Sequence, residues 1–379
     1  MRGKAIRPFQ VRPEEIGDRL EVKAQSSVAN VTRHRDARLD ALKGVAIALV
    51  VFGHALSYQI GSPAERTPLG IAIWSVHMPL FALVSGLVTR GVERAPGRFV
   101  VRRARQLLVP YLCWTALWGL VSLPDLSAVV HSERSALLFP RTSLWFLYTL
   151  FLCCLLLATT APFGKRYVIA AALLLPLTQG LPIRPELFGL YDLVVLFPYF
   201  AVGYLFGQWR VRVDRVRMVP VVVAAILYAG MYWMQTTPGW PSAPAWYLAL
   251  REVMHGIGLP GAVALLMYSN FLWGAAGVSF IYLTSPAIKG RFEGLLALLG
   301  RNTLGIYAMQ AWALQLIART GIRAAVPLTV LALFATALAS LALARVPYVR
   351  GLLLGTVRDR RGAEGGRIPR VQSALEETQ

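Results

Sequence analysis

The chain reads as an all-α, polytopic membrane protein of about ten transmembrane helices with both termini in the cytoplasm. Three observations carry that reading. Of 379 residues, 56% are apolar and only 15% are charged. Apolar runs long enough for a crossing, which takes about 20 residues, recur from residue 42 to residue 345. Charge collects between those runs instead of alternating along them. A soluble fold would need many helices buried on every side, and this composition is a poor match for one.

Taken in order, residues 1–40 are polar and mixed in charge, which predicts a cytoplasmic segment and no cleavable leader. Spans are expected near 42–60, 70–89, 107–123, 143–161, 167–181, 190–208, 218–236, 262–285, 295–315 and 325–345. Loops 90–106, 162–166, 209–217 and 286–294 are basic and alternate with charge-poor ones, so they are placed in the cytoplasm. The region 246–285 must then cross an odd number of times, most simply once. Its earlier part, 245–258, is expected to be an interfacial or re-entrant helix, because Arg251, Glu252 and His255 make a lipid-facing span expensive. The membrane domain takes residues 41–347. Residues 348–379, with "RDRRGAEGGR", are expected to be a disordered basic tail in the cytoplasm.

The net charge of +20 does not point to nucleic acid, because the arginines sit in short loops between spans. "RGVERAPGRFVVRRAR" (90–105) holds six basic residues and one acidic one. Such loops satisfy the positive-inside rule and suit anionic lipid or phosphate ligands. Cys113, Cys153 and Cys154 all lie in apolar segments, with neither a disulfide framework nor metal-ligand spacing, so no metal is expected.

The first span, "RLDALKGVAIALVVFGHA" (38–55), opens with Arg38, Asp40 and Lys43 and carries His54 at depth. Lys43 and His54 are eleven residues apart, which puts them within about 20° of each other on a helix and about 16 Å apart along it. An ionisable residue at such depth must face protein or water, so it is a functional candidate, the alternative being a histidine satisfied by a neighbouring carbonyl. His77 in "SVHMPLFALVSG" (75–86) is a second intramembrane histidine, which packing explains as readily as function. Arg102, Arg103 and Arg105 need no explanation beyond loop charge. Yet Arg102 and Arg105 are spaced i, i+3 at a helix start and would also hold a multiply phosphorylated ligand.

Together these stretches resemble the acyltransferase-3 family of integral membrane O-acyltransferases, most closely its fucose 4-O-acetylase-like branch. Lys43 and His54 fit the first-helix pattern of a basic residue, ten others and a histidine, and Arg102 to Arg105 fit its R-x-x-R motif. "HMPLFALVSG", "SLWFLYTLF" (143–151), "FPYFAVGYLFG" (197–207) and "LGRNTLGIYAMQ" (299–310) resemble later blocks in order and spacing. The chain departs from the pattern where Lys43 replaces the commoner Arg, Thr303 a frequent Ser, and Gln310 the usual His.

The resemblance implies a transfer of an acyl group, usually acetyl, from cytoplasmic acyl-CoA to a hydroxyl of a sugar, glycan or glycoside. The setting it implies is an integral membrane protein of a bacterial inner membrane. Arg102, Arg105 and Arg103 would hold the CoA phosphates with help from Lys43. His54 would act as general base, or become acylated itself. Arg38, Asp40, His77 and Gln310 are expected to support or to touch the acceptor. Trp145 and Asn302 are candidates for oxyanion stabilisation. Trp74, Trp145, Trp240 and Trp246 would stack on sugar rings or anchor the interface. The rival reading is a transporter or flippase for a glycan or lipid-linked precursor. Against it, the two halves of the chain do not superimpose as inverted repeats.

Overall fold

A computed structural model describes residues 36–64, 67–122, 144–180, 189–209, 215–236 and 261–356. The helix expected at 245–258 with Arg251, Glu252 and His255, Trp240 and Trp246, the segment 1–35 and the tail from 357 lie outside the described residues. Residues 1–37 and 38–379 form two units, and the second holds the helical bundle.

Among the described residues there are twelve α-helices and no strand. They are α1 (Ala37–Ile60), α2 (Pro68–Leu87), α3 (Pro96–Ser122), α4 (Trp145–Thr160), α5 (Lys165–Leu174) and α6 (Leu190–Gln208). Then come α7 (Met218–Thr236), α8 (Gly261–Thr284), α9 (Arg291–Arg301), α10 (Thr303–Arg319), α11 (Ala325–Leu343) and α12 (Pro347–Leu354). Among the described residues, five segments are long and apolar enough to cross a membrane: α1, α2, α4 with its 3-10 extension to Phe163, α6 and α11. On α11 the exposed residues Val326, Val330, Phe334 and Leu338 recur every fourth position, the stripe expected of a helix facing lipid. With the apolar composition, these features make the protein an integral membrane protein.

Two expected spans differ from what is observed. The run 167–181 is a ten-residue helix, α5, followed by 3-10 structure from Leu175 to Gly180. Pro176 lies just past its end, where a proline can supply no backbone N–H and crowds the preceding turn. The run 295–315 is not one helix but two, α9 and α10, parted at Asn302. There the Asn302 amide nitrogen donates to the Leu298 carbonyl at 2.9 Å, and Ser340 of α11 donates to its amide oxygen at 3.2 Å. Thr303 Oγ1 adds a bond to the Gly300 carbonyl at 2.6 Å. Short polar side chains that bond the local backbone compete with helix continuation in this way.

In lipid, helices associate through close packing more than through apolar burial. The most extensive pair, α2 with α6, shows how. A methyl added at Gly86 would overlap the Phe200 carbonyl oxygen, and one at Gly203 the Leu83 carbonyl oxygen. Gly203 and Gly207 are spaced four apart on α6, the small-residue spacing that lets backbones touch. The same device joins α1 to α9, where Gly44 lies against the Leu296 backbone and Gly300 against that of Asp40. Local signals fix the ends. Thr67 caps α2 by accepting from the Gly70 N–H at 3.1 Å, with Pro68 in the first turn. α12 stops at Gly355, whose φ of 62° is left-handed and whose Cα lies where a side chain would meet the Gln106 carbonyl. Trp114 of α3 holds α12 by donating to the Leu353 carbonyl at 2.9 Å.

Candidate active site

The site is built on the unbroken length of α1, which keeps Lys43 and His54 in register on one face. Between them on that face lie Ile47 and Val50, both fully buried, so the polar line is filled by aliphatic side chains at its middle. At the Lys43 end the Asp40 carboxylate is buried and 3.4 Å from the Lys43 ammonium. Arg38 donates from Nε to the Ser285 hydroxyl at 2.8 Å and lies 5.7 Å from the Tyr282 ring centroid, which braces the start of α1 against the end of α8.

The arginines of α3 divide their work. Arg102 and Arg105 are exposed on neighbouring turns. Arg103 is half-buried, donating to Gln106 at 3.2 Å and to the Thr89 hydroxyl at 3.3 Å, with its guanidinium 5.2 Å from the Phe99 ring centroid. Arg103 therefore ties α3 to the chain leaving α2. Nearby, the Tyr204 hydroxyl of α6 donates to the Glu93 carboxylate.

Among the described residues, two cavities lie between the helices. The smaller, of about 140 Å³, is bordered by Lys43, Ser85, Thr303 and Tyr307 within an otherwise apolar wall. The larger, of about 430 Å³, is bordered by Trp74, His77, Trp145, Tyr191, Asp192 and Trp273. Met78 borders both. In the larger one His77 is buried, with Nδ1 at 2.7 Å from the Ile73 carbonyl. A carbonyl only accepts, so Nδ1 carries the proton, and in the neutral ring Nε2 keeps the lone pair. The Trp273 indole N–H is buried without a hydrogen-bond acceptor among the described residues.

His54 is exposed and borders neither cavity, yet it is coupled to the larger one through Trp74. The His54 and Trp74 ring centroids are 5.7 Å apart at 78°, and those of Trp74 and His77 are 5.4 Å apart at 79°. Trp74 thus stands edge-to-face between the two histidines. Gln310 is buried, with its amide oxygen unpartnered among the described residues, on the α10 face that carries Thr303 and Tyr307. Asn302 is engaged at the α9–α10 break, away from both cavity walls.

The structure therefore gathers Lys43, Asp40 and Arg38 at one end of α1. It gathers His77, Trp145 and, through Trp74, His54 at the other. Sequence reading passed over Asp192 and Trp273. A lone carboxylate in the apolar run 190–208 was a usable signal for the first. Trp273 carried none, since its role depends on which way α8 turns it. No group of three or more His, Cys, Asp or Glu side chains suited to a metal ion occurs among the described residues.

Residues 36–345 match the acyltransferase domain family. Among curated proteins, the nodulation protein NolL of Mesorhizobium japonicum is 29% identical over 217 residues, covering 50% of this chain and 52% of that one. The nodulation protein NolL of Sinorhizobium fredii is 33% identical over 189 residues, covering 46% and 50% respectively. The chain spans about half the length of the curated relatives it matches. No solved structure matches it. The family match takes in α1 through α11, with the Lys43–His54 register, the paired arginines and both cavities, and the chain belongs to the acyltransferase-3 family.

Proposed function

We propose that the protein is an acyl-CoA-dependent O-acyltransferase that moves an acyl group, in the first instance acetyl, onto a hydroxyl of a sugar or glycan. The observation that carries the reading is the pair of cavities meeting at Met78, cationic at the Lys43 end and aromatic at the histidine end. In this reading the Arg102 cluster faces the cytoplasm of a bacterial inner membrane, in a bundle of about ten crossings with both termini inside. Arg102, Arg105 and Lys43 hold the CoA phosphates, since guanidinium groups pair bidentately with phosphate. Arg103 keeps α3 in place for them. The pantetheine arm enters by the smaller cavity at the Lys43 end and runs on toward the histidine end, bringing the thioester within reach of His54.

His54 takes the proton from the acceptor hydroxyl as its oxygen bonds to the thioester carbonyl carbon. The carbon–sulfur bond then breaks, and the imidazolium returns the proton to the CoA thiolate. An ester and CoA are the products. The developing oxyanion needs a donor, and the Trp273 N–H is one that lacks an acceptor among the described residues. A second reading gives the base role to His77. Its support is the hydrogen bond from Nδ1 to Ile73, which leaves a basic nitrogen at the larger cavity.

Purified protein incubated with radiolabelled acetyl-CoA tests the proposal. Wild type should release CoA slowly to water, and Arg102→Ala with Arg105→Ala should weaken donor binding about tenfold or more, given the strength of charge-assisted hydrogen bonds. Neither CoA release nor acetyl-CoA binding in the wild type would overturn the proposal in favour of the transporter.

A further inference from the structure

A third cavity lies at the end of the molecule opposite the Arg102 cluster, between the last turn of α1 and the end of α10. It is an open groove of about 480 Å³, within the range of small-molecule sites, bordered by Ser57, Tyr58, Ser62, Gln315, Arg319 and Arg323. No acidic residue borders it among the described residues. Neither guanidinium makes an ion pair or hydrogen bond among the described residues.

Its place on α1 gives it meaning. Ser57 and Tyr58 follow His54 by three and four residues, within about 60° of it on the helix and one turn further along. The groove therefore begins one turn beyond His54, on the same side of α1. Gln59 accepts from the Ala325 N–H at 2.7 Å, which ties α1 to the start of α11, two residues past Arg323. The turn carrying the arginines is closed by bonds from the Gly321 N–H to the Ala318 carbonyl at 3.1 Å and from Thr320 Oγ1 to the Ile317 carbonyl at 2.7 Å. Gly321 turns the chain there with a φ of 95°.

Arg319 alone has an ordinary explanation, since a cation in the last turn of a helix complements its dipole. Arg323 lies beyond the helix and has no such reason. Two guanidinium groups at the end away from the basic loops also run against the distribution expected of arginine. Beside them the serine and tyrosine hydroxyls add further donors.

We propose that this groove binds a phosphate ester carried by the acyl acceptor, and that Arg319 and Arg323 hold it so that a neighbouring hydroxyl reaches His54. The assignment rests on the acyltransferase reading. It narrows the acceptor to phosphorylated sugars, including those linked through phosphate to a lipid.

The test uses the full chain in phosphatidylcholine nanodiscs with tritiated glucose 1-phosphate as probe and unlabelled glucose as competitor. Wild type should bind the probe saturably, glucose should not displace it, and Arg319→Gln with Arg323→Gln should weaken binding about tenfold or more. Arg319→Lys with Arg323→Lys should restore part of the affinity, which a merely misfolded groove would not. Equal binding in wild type and the double Gln variant, or no binding in either, overturns the proposal. Loss of the probe when phosphatidylglycerol is added to the discs would make the occupant a lipid headgroup and overturn the acceptor assignment. CoA release from acetyl-CoA is followed in the same discs. Arginine-dependent probe binding with neither CoA release nor acetyl-CoA binding would leave the phosphate site standing and remove the acyltransferase reading.

Discussion

The two ends of α1 are made of different chemistry. Around Lys43 the groups are compact and paired: the Asp40 ion pair, Arg38 on Ser285, Arg103 on Thr89 and Gln106, and a cavity of about 140 Å³. Around His54 the groups are aromatic and open, with cavities of about 430 and 480 Å³ and edge-to-face ring contacts. One end is narrow and carries charge, the other is broad and lined by aromatic faces. A single straight helix joins them and sets their distance. In the proposed function, the family's spacing of a basic residue and a histidine serves as a ruler between the donor end and the acceptor end.

The contrast can be broken first at His54. Replacing it with Gln should lower CoA release by about 10²–10⁴-fold, the range for losing a general base. A smaller effect is expected where the two ends are held in register. Gly203→Val would force α6 away from the Leu83 backbone and should cost about 1–3 kcal/mol, read as a lower unfolding temperature in detergent. Gly97→Ala, where an added methyl meets nothing, is the control and should not lower that temperature. The smallest effect is expected at the α9–α10 break. Ser340→Ala removes the bond to Asn302 and should cost about 0.6 kcal/mol, the average for such bonds between helices in a membrane protein.

Much of this architecture was legible from residues alone, and the reasons differ by element. α1, α2, α4, α6 and α11 follow from unbroken apolar length. The Lys43–His54 register follows from helix geometry. The break at Asn302 was legible in part, since Asn302 and Thr303 are short polar residues that bond the local backbone, whereas the bond from Ser340 comes from 38 residues away in sequence. Pro176 was a visible reason to shorten the span at 167–181. The aliphatic filling by Ile47 and Val50 could have been read from the register itself. The coupling of His54 to His77 through Trp74 could not, since it needs α1 and α2 side by side.

The most direct test measures CoA release from acetyl-CoA by wild type, His54→Gln and His77→Gln, each purified in the same detergent. Loss of at least about a hundredfold at His54, with His77→Gln within about tenfold of wild type, is the expected result. Full activity in His54→Gln with loss at His77 would contradict the role given to His54 and move the base across Trp74.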